Sequence, residues 1–175
     1  FILSRRPYYN KIVAIFVPGN HGRTTAQPIA EPATNSFEYL LGLLVKAHLA
    51  PYKDVSVIVS EDYQYILEIR GHKYLLMHGH FIRGVAITSV IKAMEQISLL
   101  SDKEFYDVII MGHLHTTLDL GIGRNTTCLV NGCWIENDSY AFNTLRKYSE
   151  AKQIMFNISN KSKIHDLQKI DLLWA

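Results

Sequence analysis

Residues 107–115 read DVIIMGHLH, and this stretch decides the fold because a strand-like apolar run leads directly into two histidines. A short continuous apolar run bounded by turn residues predicts a buried strand. Gly112 lets the backbone turn sharply and approach a metal or a phosphate without a Cβ in the way. Ligands and catalytic groups of α/β proteins collect where strands end. A purely structural role does not explain two histidines directly after a buried strand. We therefore expect a functional site at the C-terminal end of this strand.

Two more clusters follow apolar runs in the same manner. Gly19-Asn20-His21 comes after the run at 12–17, and His78-Gly79-His80 comes after the run at 74–77. Taken alone, the first tripeptide is more often an ordinary turn, and the second is more often structural or incidental. Together with Gly112-His113-Leu114-His115 they indicate a metal site, since imidazole nitrogens and amide oxygens suit Mn, Fe, Ni and Zn.

Strands and helices alternate along the rest of the chain. Ser36 is a plausible N-cap for an amphipathic helix that ends at Ala50-Pro51. A second amphipathic helix is predicted between Ile87 and Leu100. Further strands are predicted at 55–59, 63–69, 127–130 and 154–158, with a hairpin turn at Gly71-His72. The segment from Lys161 is read as a polar tail that ends in an apolar cluster at 170–174, which is either an edge strand or a docking segment. The pattern predicts an α/β fold with a mixed sheet or two sheets.

Composition narrows the class of protein. With 175 residues and 48% hydrophobic content, the chain can bury one sizeable core as a single domain. The net charge is +2 and the sequence has no block of basic residues, so its charge neither requires nor excludes binding to nucleic acid. Two cysteines, Cys128 and Cys133, favour buried thiols in a reducing cytoplasm. No apolar run approaches the roughly 20 residues of a membrane span, so we expect a cytoplasmic protein without a membrane partner.

The three histidine clusters, in this order, resemble the signature of the calcineurin-like metallophosphoesterase superfamily. That resemblance implies an αββα sandwich with mixed sheets and covers most of the chain between residues 12 and 158. The forms Gly19-Asn20-His21-Gly22-Arg23 and Asn131-Gly132-Cys133, with residues 138–141, further resemble a phage and bacterial DNA-repair-exonuclease-like branch. A phage-encoded protein would act in the host cytoplasm.

The resemblance implies a set of metal ligands. Asn20, through its amide oxygen, and the imidazoles of His78 and His113 would bind the second of two divalent ions. His115 would bind the first ion. Manganese is the expected metal, with iron, nickel, zinc or magnesium as alternatives.

Three other residues would have different roles. His21 would be the catalytic residue that lies beside the phosphate and protonates the leaving oxygen. Arg23 would contact a substrate phosphate, since guanidinium groups bind phosphate well, although an exposed loop arginine is usually only solvated. His80 is close enough to line the site, and we expect it to support the ligands rather than bind the metal.

The upstream motifs of the superfamily, Asp-x-His and Gly-Asp-x-x-Asp, are absent, because the eighteen residues before Gly19 contain no Asp and no His. The carboxylate that bridges both metals is therefore missing. We expect residues 1–175 to be a single partial metallophosphoesterase domain that lacks its N-terminal portion, with 165–175 as a possible C-terminal docking tail. We expect the missing half in the same or another chain. Alone, this chain should bind one metal weakly, show little or no catalysis and expose an apolar edge or face.

Three functions remain open. The leading hypothesis is a metal-dependent phosphoesterase of the phosphodiesterase or nuclease type, whose substrate is a phosphate ester, with DNA suggested only by the family resemblance. The alternative is a catalytically inactive phosphoesterase-fold accessory or interaction subunit. The third is a split enzyme whose two halves associate.

Overall fold

The structure is a computed structural model that describes residues 1–26, 31–82, 87–100, 106–123, 125–136 and 151–172. The chain divides into two compact units, Phe1–Tyr65 and Ile66–Ala175. The helices are α1 (Ile2–Arg5), α2 (Phe37–Leu49) and α3 (Ile87–Leu100). The strands are β1 (Ile12–Phe16), β2 (Val55–Val59), β3 (Gln64–Ile69), β4 (His72–Met77), β5 (Val108–Met111), β6 (Leu118–Ile122), β7 (Thr126–Val130), β8 (Lys152–Ser159) and β9 (Ser162–Asp171).

The first unit is a parallel strand pair with a helical crossover. β1 and β2 are parallel over their whole length, from the Ile12–Val55 pair to the Phe16–Val59 pair. Parallel neighbours cannot be joined by a tight turn, so the chain returns through α2. Gly42 of α2 is buried, and a Cβ there would come within 2.8 Å of Val59 Cγ1. The glycine therefore lets the helix pack closely against the strands.

The start of α2 follows the sequence prediction. Ser36 is the N-cap, and its buried side chain accepts a hydrogen bond of 3.1 Å from the amide of Tyr39. Such a cap satisfies one of the amides that the first helical turn leaves without an intrahelical partner.

The outward face of α2 is apolar and exposed. Phe37, Leu40, Leu41 and Leu44 are between 50% and 65% exposed. Their spacing of three and four residues places them along one stripe of the helix. This stripe, called the α2 apolar stripe below, is the kind of surface that usually marks an interaction.

The second unit contains a five-stranded mixed sheet in the order β3-β4-β5-β7-β6. β4, β5 and β7 are parallel, and β6 is antiparallel to β7. The prediction of an α/β fold with a mixed sheet is confirmed. The segment that links the parallel strands β4 and β5 contains α3.

Both faces of this sheet are covered, as strands with continuous apolar sequence require. One face buries Leu75, Ile109 and Met111 together with Val90 and Met94 of α3. The opposite face buries residues that alternate with these along each strand, and it packs against the β8–β9 hairpin. This second cluster contains Tyr74, Val108 and Leu129, with Ile154, Phe156, Ile158, Ile164 and Leu167 around them.

Most predicted elements are present with close bounds, but the short helix α1 was not predicted and two later segments also differ. β6 was not predicted, although its residues Leu118, Leu120 and Ile122 alternate with small or polar ones. The expected polar tail instead forms β9, paired with β8. Its polar sequence is explained by exposure of much of one face, while Ile164 and Leu167 pack on the sheet.

Three smaller points complete the comparison with the sequence. Cys128 is buried as expected, which raises the pKa of its thiol to about 12, whereas Cys133 is half-buried. Residues 138–141 lie outside the described residues. Within the described ranges, none of the helices has the length and apolar character needed to cross a bilayer.

Arg6, near the start of the chain, forms an ion pair. Arg6 contacts the carboxylate of Asp54 with two nitrogens, at 2.6 and 2.7 Å, and its guanidinium lies 4.7 Å from the centre of the Tyr52 ring. The hydrogen bonds from Arg6 hold the pKa of Asp54 below its usual value of 3.8. Arg6 therefore anchors the N-terminal segment to the residues before β2.

Replacing Asp54 with Asn should reduce the acid sensitivity of the first unit. A carboxyl whose pKa is lowered by folding adds stability above its unfolded pKa, and that stability is lost as the pH falls through the folded pKa, here below 3.8. The measurement is the midpoint of urea unfolding at about pH 6 and at about pH 2.5. Between these two pH values, the midpoint should fall less in Asp54→Asn than in the wild type. Glu61→Gln, at an exposed position, is the control. Equal acid sensitivity of wild type and Asp54→Asn would contradict the assignment.

Candidate functional site

The parallel pairing of β4 with β5 brings two predicted ligands together. The strands pair up to Met77 and Met111, and the pairing continues one step further, since the amide of Gly112 donates to the carbonyl of His78 at 3.2 Å. His78 and His113 thus follow equivalent ends of adjacent parallel strands. This is the place where α/β folds bind ligands.

The imidazoles of these two residues are in direct contact. His78 Nε2 and His113 Nδ1 are 3.2 Å apart, and the ring centres are 5.0 Å apart in an edge-to-face arrangement. Both side chains are half-buried. The sequence placed them 35 positions apart, so their contact is a result of the fold and supports a shared role.

The backbone of the Gly112–His115 loop is unusual. The amide of Leu114 donates to the carbonyl of Gly112 at 2.8 Å, which closes a three-residue turn around His113. His113 has φ of 69° and His115 has φ of 54°, values that non-glycine residues rarely adopt. Between them, the side chain of Leu114 is buried in the core of the sheet. Leu114 therefore anchors the loop, while the two histidines flank it in strained conformations of the kind that cluster at functional sites.

Gly79 lets the chain turn next to His78. Its φ is 98°, and a Cβ there would come within 2.4 Å of Met111 Cε. The ring of the following His80 is tilted against Phe81, with ring centres 4.0 Å apart, and lies 5.6 Å from the ring of His78. These contacts place His80 beside the pair, and its supporting role stays a prediction.

The paired nitrogens fit a shared divalent cation. Two ligand nitrogens at about 2.1 Å from one ion, at the angles of tetrahedral or octahedral coordination, are separated by about 3.0–3.4 Å. The observed 3.2 Å lies within that range. Among the described residues, no group of three or more His, Cys, Asp and Glu side chains could hold a metal ion. The described part of the second unit thus brings two imidazoles together but does not form a complete metal site.

The other predicted residues lie in the first unit, in the loop that follows β1. Gly19 is buried, Asn20 is half-buried and His21 is exposed. The Arg23 guanidinium donates to the backbone carbonyl of Asn20. This bond fixes the curvature of the loop, and the remaining guanidinium donors keep the capacity to bind a phosphate.

The loop is joined to the first turn of α2 by two further bonds, which the sequence reading did not predict. The amide of Gly19 donates to the Glu38 carboxylate at 2.5 Å, and the amide of Phe37 donates to the carbonyl of Gly22 at 2.7 Å. In the sequence, Glu38 stands out only as an acidic residue in the first turn of a predicted helix. Such a residue usually indicates no more than a favourable interaction with the helix dipole.

A second carboxylate holds the next part of the loop. The buried side chain of Glu31 accepts hydrogen bonds from the amides and hydroxyls of Thr24 and Thr25, and its carbonyl accepts one of 3.0 Å from the Tyr63 hydroxyl. Hydrogen bonding to Thr24 above all lowers the pKa of Glu31. The charged carboxylate therefore organises the residues that follow Arg23.

The fragment Asn131-Gly132-Cys133 has a structural explanation. Asn131 donates to Gln153 Oε1 at 2.6 Å and accepts from the amide of Ile154 at 2.8 Å, while Gln153 Nε2 donates to the carbonyls of Gly132 and Cys133 at 3.1 Å. A Cβ on Gly132 would meet the Lys152 carbonyl at 2.4 Å. The fragment thus joins the end of β7 to the start of β8.

Comparisons with known proteins identify related structures. Neither a family profile nor a curated protein matches the sequence. Vps29 from Entamoeba histolytica, in complex with Zn²⁺, is 15% identical, with a TM-score of 0.46 over 92% of this chain and 97% of that chain. Vps29 from Cryptosporidium parvum is 11% identical, with a TM-score of 0.43 over 90% of this chain and 97% of that chain. A predicted phosphoesterase from Streptococcus pneumoniae is 12% identical, with a TM-score of 0.39 over 90% of this chain and 96% of that chain.

These solved structures have the calcineurin-like metallophosphoesterase fold. The resemblance to a DNA-repair-exonuclease-like branch is not confirmed.

Replacing Gly79 with Ala should destabilise the strand end that carries His78. The new side chain would keep the strained φ and would press on Met111, at an expected cost of roughly 1–3 kcal/mol. Gly121→Ala is the matched control, because a Cβ there meets no atom within 4 Å. Urea unfolding should separate the two variants. Equal stability of both variants would show that the backbone at residue 79 is not constrained as described.

Proposed function

We propose that this chain supplies the downstream part of a metal-dependent phosphoesterase site. The observation that carries the proposal is the contact between His78 and His113 at the ends of adjacent parallel strands. Two imidazole nitrogens that converge at this spacing suit one divalent cation. Asn20, in the first unit, stays a predicted metal ligand through its amide oxygen. His115 is the proposed ligand for a second cation. Manganese is the proposed metal, with zinc, iron, nickel or magnesium as alternatives.

When bound, the two cations would polarise the phosphate and lower the pKa of a coordinated water, which is the chemistry of two-metal phosphoesterases. The residues of the chain then have distinct tasks. His21 is exposed at the loop that follows β1, where it can reach a substrate and protonate the leaving oxygen. Arg23 shapes that loop and offers its remaining donors to a substrate phosphate.

The proposal includes a further part of the site that this chain does not contain. Asp-x-His and Gly-Asp-x-x-Asp segments, in a longer form of the protein or in a partner chain, would supply the bridging carboxylate. The α2 apolar stripe is consistent with such an additional segment or partner chain. A surface with several adjacent half-exposed leucines usually packs against another protein segment. The substrate is a phosphate ester, and a phosphodiester such as DNA is the class suggested by the family resemblance.

Loss of either paired histidine should weaken metal binding by the 175-residue chain. His78→Ala and His113→Ala each remove one ligand nitrogen and should raise the dissociation constant for Mn²⁺ or Zn²⁺ roughly tenfold or more in titration calorimetry. His72→Ala is the matched control, since His72 begins the strand that leads to His78 and contacts the carbonyl of Ser159 at 3.0 Å. Unchanged affinity in both ligand variants would refute the shared site.

Catalysis requires the protein that includes the upstream motifs. With Mn²⁺, it should hydrolyse bis-p-nitrophenyl phosphate, and His21→Ala should lower kcat roughly 100-fold or more because leaving-group protonation is lost. His48→Ala, at the exposed end of α2, is the control and should retain full activity. No hydrolysis by the complete protein, or full activity of His21→Ala, would overturn the enzymatic proposal.

A second candidate function is an accessory subunit with a phosphoesterase fold. The α2 apolar stripe is the observation that favours it, because such a surface suits a stable protein partner. A complete protein that forms a stable complex but shows no hydrolysis would support this function, provided that Leu41→Lys breaks the complex. An active protein whose complex is unaffected by Leu41→Lys would oppose it.

A further inference from the structure

We infer that Glu38 is the positioning residue that holds the Gly19–Arg23 loop in the geometry needed by Asn20 and His21. The inference rests on the proposed function, because the loop geometry matters for function only if Asn20 binds a metal ion and His21 acts on the substrate. The contacts that support it lie entirely within the first unit.

Glu38 contacts the loop at the residue directly before the proposed ligand. Its carboxylate accepts the amide of Gly19, which is itself buried. A bond from a backbone amide to a charged carboxylate is stronger than one between neutral groups. Asn20 is the next residue, so the orientation of the Gly19 peptide bears on where the Asn20 side chain points.

The other end of the loop is held by the same helical turn. The carbonyl of Gly22 accepts the amide of Phe37, and a Cβ on Gly22 would come within 2.6 Å of Glu38 Cγ and 2.8 Å of Glu38 N. The glycine therefore allows direct packing of the loop on Glu38. Both ends of the segment 19–22 are thus joined to consecutive residues of α2, and Asn20 and His21 lie between the two attachment points.

The helix turn is suited to this role. Ser36 caps α2, so the first turn is well formed, and Glu38 is the acidic residue of that turn. The positive end of the helix dipole favours a charged carboxylate there. The carboxylate is only partly exposed, and the helix that carries it is itself packed on β2 through Gly42. The loop is therefore fixed to the most regular part of the first unit.

Two variants separate the hydrogen bond from the bulk of the side chain. Glu38→Gln keeps an acceptor oxygen of the same shape, whereas Glu38→Ala removes it. In the 175-residue chain, amide hydrogen exchange by NMR should show Gly19 exchanging roughly tenfold faster or more in Glu38→Ala, and close to the wild-type rate in Glu38→Gln.

A role confined to overall stability would give a different pattern. The amides of Ile12 and Ser60, which bond to Asp54 and Phe16 at 2.9 Å, report on the β1–β2 pair. They should keep their exchange rates in Glu38→Ala if the effect is local. Glu61→Ala, another carboxylate removal in the same unit, should change neither set. Equal acceleration of Gly19, Ile12 and Ser60, or no acceleration of Gly19, would overturn the inference.

The link to the metal is tested separately. Line broadening of the Asn20 side-chain amide by added Mn²⁺ should be seen in the wild type and in Glu38→Gln, and should need roughly tenfold more Mn²⁺ or more in Glu38→Ala. Broadening at the same Mn²⁺ concentration in all three proteins would contradict the positioning role. An absence of broadening in the wild type would count against the proposed metal site, while the exchange rates would still decide whether Glu38 holds the loop.

Discussion

The parallel pairing of β4 with β5 is the constraint on which the candidate site depends. The register ends at Met77 and Met111, and one further hydrogen bond from Gly112 to His78 carries the alignment into the loops. Any shift of this register would separate His78 from His113, because their contact is set by the equivalent ends of two strands. The buried apolar residues on both faces of the sheet fix that register, since a slip of one residue would reverse which side chains face the core.

The loops that follow these strands hold the candidate site residues in defined positions. Gly79 takes a backbone conformation that only glycine adopts easily, and His113 is held at the centre of a tight turn by the buried Leu114. The first unit uses a different device. Its loop after β1 is fixed by hydrogen bonds to carboxylates, Glu38 at one end and Glu31 further along. In both units, packing or hydrogen bonds outside the candidate residues hold those residues in place.

Much of this fold could be predicted from the sequence, because local patterns determine it. The apolar run of β2 and the Ser36 cap of α2 gave bounds that the structure reproduces. β6 was missed although its alternation was visible, and β9 was missed because its sequence is polar and β-bulges interrupt its pairing with β8. His78 and His113 were predicted as ligands of one ion, and the structure places their rings in contact, while the roles of the other site histidines stay predictions. The contacts of Glu38 and Glu31 were not, since they depend on how a loop folds back on a helix.

The central claim is that His78 and His113 bind one divalent cation. Crystals of the 175-residue chain, soaked in Mn²⁺ and measured at the manganese absorption edge, test it most directly. The account predicts an anomalous peak within about 2.0–2.3 Å of both His78 Nε2 and His113 Nδ1. A fully occupied manganese peak elsewhere in the protein, with the two imidazoles still hydrogen-bonded to each other, would contradict it.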